Sequence, residues 1–104
     1  MITVKYDLNS FLLDIRGHAE YAPYGKDIVC AAVSALSQTL AMWLSEYAPC
    51  MEEAPRIDTG EGLLIQCSPK PVWRCEIMLL YQFVIKGMQR IAVEYPRNVE
   101  IVQK

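Results

Sequence analysis

Gly17-His18-Ala19-Glu20-Tyr21-Ala22-Pro23-Tyr24-Gly25-Lys26-Asp27-Ile28-Val29-Cys30-Ala31-Ala32-Val33-Ser34 is the passage in which one hydrophobic period gives way to another. Before it, Phe11, Leu13 and Ile15 alternate with Leu12, Asp14 and Arg16, the period of two of a half-buried strand. After it, Val29, Ala32, Val33, Leu36, Leu40, Trp43, Leu44 and Tyr47 recur three and four apart, the period of a helix with a broad apolar face. The passage therefore predicts a strand ending in Gly17-His18, a loop over residues 19–26 and a long helix opening at Ile28.

Working outward, Ile2, Val4, Tyr6 and Leu8 alternate with Thr3, Lys5 and Asp7, and Asn9-Ser10 supplies a turn. A first strand thus pairs antiparallel with the second and carries the histidine on a rigid edge. Downstream, Ala48-Pro49 ends the first helix, because a residue before proline avoids helical angles. Ile57 begins a short strand and Leu63 to Cys67 reads as another. Pro69 and Pro71 open a second helix with Trp73, Ile77, Leu80, Val84, Met88 and Ile91 as its core stripe and Gln82, Lys86, Gln89 and Arg90 as its wet face. Tyr95-Pro96 stops that helix, and Val99 and Ile101 mark a last strand. The order strand, strand, helix, strand or hairpin, helix, strand predicts an α+β fold, a mainly antiparallel sheet with two long buried helices. Met42 and Trp43 are assigned to the core.

A chain of 104 residues fits one domain spanning residues 1–104. With 53% hydrophobic residues it is globular, and a formal charge of −2 leaves no basic footprint for nucleic acid. Residues 1–8 hold no apolar signal core, and the run Ile77 to Ile85 is too short to span a bilayer, so no membrane partner and a cytoplasmic location are expected. Cysteines at 30, 50, 67 and 75 form no CxxC and share one histidine, so neither a metal site nor a cofactor is expected, and the thiols should remain reduced. Glu52, Glu53, Asp58 and Glu61 make an acidic segment that either attracts a basic peptide or is simply solvated.

The chemistry of the central passage begins at Asp27, a good N-cap that puts Ile28, Val29 and Cys30 in the first helical turn. A thiolate is the reactive form of cysteine, and a helix N-terminus or a nearby imidazolium favours it. The unpaired amides of that turn are also candidates to hold an oxyanion. His18, the only histidine, is the candidate general base and acid. Asp27 either orients His18 or only caps the helix, and Ser34 lies one turn beyond Cys30 on the same face. Gly17 and Gly25 bracket the loop as hinges that allow a lid motion, while Pro23 stiffens it. The same residues fit a quieter picture, since Cys30 followed by Ala31, Ala32 and Val33 is also how an inert core thiol looks.

Gly17-His18-Ala19, Tyr21-Ala22 and the run Gly25 to Leu36 resemble the signature of the ribosomal-processing cysteine protease family, Prp. The resemblance implies His18 and Cys30 as the catalytic pair, Asp27 and Ser34 as supporting residues, and a mobile loop between histidine and cysteine over Ala19 to Lys26. Glu20 departs from it, standing where the family usually has a small residue. The resemblance further implies a homodimer whose substrate is the N-terminal extension of a bacterial large-subunit ribosomal protein, cut after a hydrophobic motif. The alternative is a ribosome-associated assembly module that binds a peptide at a sheet edge without chemistry. Either the two apolar helices are sandwiched between sheets, as the resemblance implies, or part of one meets a partner subunit.

Overall fold

The computed structural model describes residues 1–23 and 25–104; Tyr24, inside the loop flagged above, lies outside the described residues. Strands β1 (Ile2–Asp7), β2 (Leu12–Gly17), β3 (Arg56–Asp58), β4 (Leu63–Gln66) and β5 (Val99–Gln103) form one sheet in the order β3-β4-β2-β1-β5. Helix α1 (Ile28–Glu46) follows β2, and α2 (Arg74–Glu94) links β4 to β5. All pairings are antiparallel except that of β1 with β5. The fold is α+β, with a mostly antiparallel sheet and two long helices, as the alternation of periods predicts.

The strand registers put Ile2, Val4, Leu13, Ile15, Ile65 and Val99 on one buried face. The opposite face carries Lys5, Arg16, Arg56 and Glu100, all exposed. Both helices join the core on the apolar face. They are therefore not sandwiched between sheets within the chain, because its strands make a single sheet with one apolar side. Their outward sides stay wet, with Met42 64%, Leu79 65% and Phe83 75% exposed. Met42 is thus not a core residue.

Helix faces deviate from the sequence reading where polar atoms find local partners. Ser37 is buried in α1, where its hydroxyl donates to the Val33 carbonyl at 2.8 Å, while Ser34 and Gln38 stay exposed. In α2 the buried face is Ile77, Tyr81, Val84, Ile85 and Met88, while Trp73 sits in a preceding 3-10 turn (Pro71–Trp73) and is largely exposed. Tyr81 packs edge-on against Phe11 at 5.7 Å and donates its hydroxyl to the Cys67 sulfur at 3.6 Å. Phe11 itself is in the β1–β2 turn, at a left-handed φ of 52°, rather than in the strand. By length and composition α1 is apolar enough to cross a membrane; here Val29, Val33, Leu40 and Leu44 bury one of its sides in the core. Gly87 lies where a Cβ would press on Leu36, so the glycine that weakens α2 also lets the two helices approach.

Candidate active site

The end of β2 and the start of α1 open onto one groove of about 780 Å³. Gly17 closes the β2 ladder opposite Ile2, at a φ of 90°, and turns the chain out of the sheet. His18 follows, exposed on the groove, and Cys30 lines the same groove half-buried. Ile2, Ile15 and Leu63 add an apolar side. Ser34 also lines it, one turn past Cys30, but its hydroxyl makes no bond to the sulfur among the described residues.

The hydrogen bonds define what each flagged residue does. The Ala19 N–H, rather than the His18 ring, donates to Cys30 Sγ, at 3.4 Å. Asp27 Oδ1 accepts from the amides of Val29 and Cys30 at 3.0 and 2.9 Å. Its Oδ2 accepts from the amides of Tyr21 and Ala22 at 3.0 and 3.3 Å. The carboxylate therefore caps α1 with one oxygen and ties the loop down with the other, and it makes no bond to His18 among the described residues. The amides of Val29 and Cys30 are spent in this cap, so they are not the open oxyanion donors that a bare helix start would offer. Lys26 N–H donates to the Pro23 carbonyl at 2.9 Å, and the Tyr21 ring meets Tyr95 edge-on at 5.2 Å. Glu20 takes a left-handed φ of 56°, uncommon for a residue other than glycine.

Two residues that the sequence reading missed complete the arrangement. The Asn98 side-chain amide donates to the Ala19 carbonyl at 2.8 Å, across 79 residues of chain. Tyr95 braces Tyr21 from the end of α2. Neither carries a local signal, because Tyr95-Pro96-Arg97-Asn98 reads as an ordinary turn. The acidic segment is partly used structurally: Glu61 pairs with Arg16 at 3.0 Å and Asp58 accepts from the Gly60 amide at 2.9 Å.

The amides that point at Asp27, that of Cys30 foremost, hold its carboxyl below the usual carboxylate value against the opposing effect of desolvation. A depressed folded-state pKa means that its contribution to stability is complete above the ordinary carboxylate range. That contribution is lost as pH falls through the lowered value, so this tie is constant from mildly acidic to alkaline pH. Asp27→Asn retains one oxygen for the helix cap but turns an NH₂ toward the Tyr21 and Ala22 amides. We expect exchange at those two amides to rise by about tenfold or more, with Val29 and Cys30 much less affected. Residue-resolved hydrogen exchange measures this, and an equal rise at all four amides would contradict the division of labour between the two oxygens. Unchanged turnover in that variant would also exclude a catalytic charge at Asp27.

The other cysteines contrast with Cys30. Cys50 and Cys67 are buried, and burial pushes the Cys67 thiol up, away from the reactive form. Cys75 is exposed at the start of α2, and it does not line the groove. Among the described residues no cluster of histidine, cysteine and carboxylates could hold a metal ion.

The family model described as cysteine protease Prp matches residues 1–100. A ribosomal processing cysteine protease Prp of Mycoplasma genitalium is 26% identical, with 94% of this chain and 93% of that protein aligned. The crystal structure of an essential ribosomal processing protease Prp from S. aureus, covalently linked to a product peptide, superposes with a TM-score of 0.78 at 29% identity, all of both chains being covered. The same S. aureus protease in complex with a substrate peptide gives 0.70 at 27% identity, again over the whole of both chains.

Proposed function

This chain belongs to the cysteine protease Prp family and is a cysteine protease; we propose that it removes the N-terminal extension of a bacterial large-subunit ribosomal protein, using Cys30 as nucleophile and His18 as general base and acid. The observation that carries the assignment of residues is the groove itself, which His18 and Cys30 line together and which the other three thiols do not reach.

In the proposed reaction the Cys30 thiol gives its proton to the His18 imidazole. The sulfur then bonds to the scissile carbonyl carbon as the C=O pair moves onto oxygen. Collapse re-forms the carbonyl and breaks the C–N bond, the departing amine taking the proton from the imidazolium. A water that loses its proton to His18 attacks the thioester carbon, and collapse breaks the C–S bond, releases the peptide acid and returns the imidazolium proton to the Cys30 sulfur. The ring is exposed and makes no bond to the sulfur among the described residues, and the proposed proton transfer requires the two to come within hydrogen-bond reach when substrate fills the groove. The apolar side made by Ile2, Ile15 and Leu63 suits a hydrophobic residue beside the cut.

The exposed Leu79 and Phe83, one turn apart on α2, support a homodimer that covers them. Sedimentation of a monomer at micromolar concentration would remove that element alone. A cytoplasmic location belongs to the same reading, since ribosomal precursors are made there. The test of the function is incubation with the extended ribosomal precursor and mass spectrometry of the products. A single cut is expected, leaving a defined mature N-terminus; an uncut precursor or scattered cleavage would overturn it.

A further inference from the structure

We propose that the backbone N–H of Ala19 is the donor that holds the oxyanion during acyl transfer, and that Asn98 is the positioning residue that aims it. The inference deepens the thiol-protease reading and rests on it.

When the Cys30 sulfur bonds to a carbonyl carbon, the negative oxygen forms two bonds from the sulfur, so its donor must already lie beside that atom. The first turn of α1 has little to offer. Val29 and Cys30 N–H donate to Asp27 Oδ1, and Ala31 N–H donates to the Asp27 carbonyl at 3.0 Å. Recruiting the Val29 or Cys30 amide would uncap the helix. Ala19 N–H is different. It points at Sγ from 3.4 Å, and sulfur is a weak acceptor, readily exchanged for an anionic oxygen on the adjacent carbon.

Ala19 is also held as a preorganised donor should be. Ala19 as a whole is buried, at 1% exposure, with its N–H covered by the Cys30 sulfur to which it donates, and its carbonyl accepts from Asn98 Nδ2 at 2.8 Å. Asn98 is itself fixed by its backbone: Ile2 N–H donates to its carbonyl at 2.8 Å, and its own N–H donates to Tyr95 at 2.9 Å. The donor is thus tied to the sheet through Asn98 and to the core by its burial, its direction is set before substrate arrives, and an oxyanion reaches it by displacing the sulfur.

Two changes test this, both made in a Cys75→Ser background so that Cys30 labelling is read without the exposed thiol. The first replaces Ala19 by lactic acid, which turns one amide into an ester and removes only the N–H. Cys30 provides the junction for ligating a synthetic 1–29 segment to residues 30–104, and the same ligation with alanine is the control. We expect kcat to fall about 10²- to 10³-fold with KM within about threefold. Alkylation of Cys30 by iodoacetamide, which forms no oxyanion and loses only the N–H bond to sulfur, should fall much less than kcat, by under about tenfold. The second is Asn98→Asp, nearly isosteric but unable to donate when ionised, which should give the same pattern with a smaller loss of kcat. A kcat for the ester within threefold of the control overturns the proposal. So does an equal loss of alkylation and cleavage, which would show general damage to the site. If the alanine control itself fails to cut the precursor, the protease reading fails first, so the two failures are distinguishable.

Discussion

Cys30→Ala is expected to lower precursor cleavage by roughly 10⁵-fold or more, to the background of the assay, because no other thiol lines the groove among the described residues. The change removes a sulfur from a half-buried position without adding bulk, so precursor affinity should stay within about threefold and the fold should be unaltered. His18→Ala should be nearly as severe, since the leaving amine then has no proton donor. The single-thiol controls sharpen the result. Cys75→Ala should cleave normally, and Cys50→Ala and Cys67→Ala should lose stability but keep turnover per folded molecule, because their side chains pack in the core. Undiminished cleavage by Cys30→Ala, measured by mass spectrometry of the precursor, would remove both the nucleophile and the mechanism built on it. Loss of turnover in a well-folded Cys67→Ala would instead point to the wrong thiol having been chosen.

How far the sequence reveals this molecule depends on whether the cause of a feature is local. The switch from period two to period three and four on either side of the central passage is local, and β1, β2 and α1 follow from it. The Asp27 cap is local too, since a carboxylate two and three residues before a pair of free amides has little else to do. The second use of the same carboxylate is not local, because it depends on the loop folding back over the helix start. That fold-back is what consumes the amides expected to be open. Tyr81, fully buried in α2, is absent from the expected stripe, because only the fold brings Cys67 to its hydroxyl as a buried acceptor. Asn98 and the parallel pairing of β5 with β1 depend on how α2 returns the chain across the sheet, and no periodicity encodes that choice.

Gly17→Ala is expected to be the most damaging substitution that touches no reacting atom. A Cβ built at Gly17 falls on the Met1 backbone carbonyl oxygen, and the φ of 90° is closed to alanine without strain. The backbone angle alone costs about 1–3 kcal/mol. With the collision added, the melting temperature should drop by roughly 10 °C or more in a chain this size. Relief of the clash requires β2 to part from β1 at its end, which carries His18 away from Cys30. A displacement of about 1 Å at that point is enough to lower kcat about 10²-fold. Gly25→Ala is the comparison, because its φ of 85° is similarly unfavourable while a Cβ there meets nothing within 4 Å. Equal losses of stability in the two variants would show that the close approach of β1 is unimportant.

The pairing of β5 with β1 also bears on when the enzyme becomes active. Thr3 and Glu100 are hydrogen-bonded at 2.8 Å although 97 residues separate them, and Asn98, which precedes the same strand, reaches back to Ala19. Contacts of such long range form late, after the entropy of closing nearly the whole chain has been met. While residues 98–103 are still inside a ribosomal exit tunnel, β1 lacks one neighbour and the Ala19 peptide lacks its clamp. The hairpin and α1 can form from residues already made, but the complete groove awaits the last strand. The groove is therefore complete only once residues 98–103 have joined the sheet, an order of assembly set by strand topology.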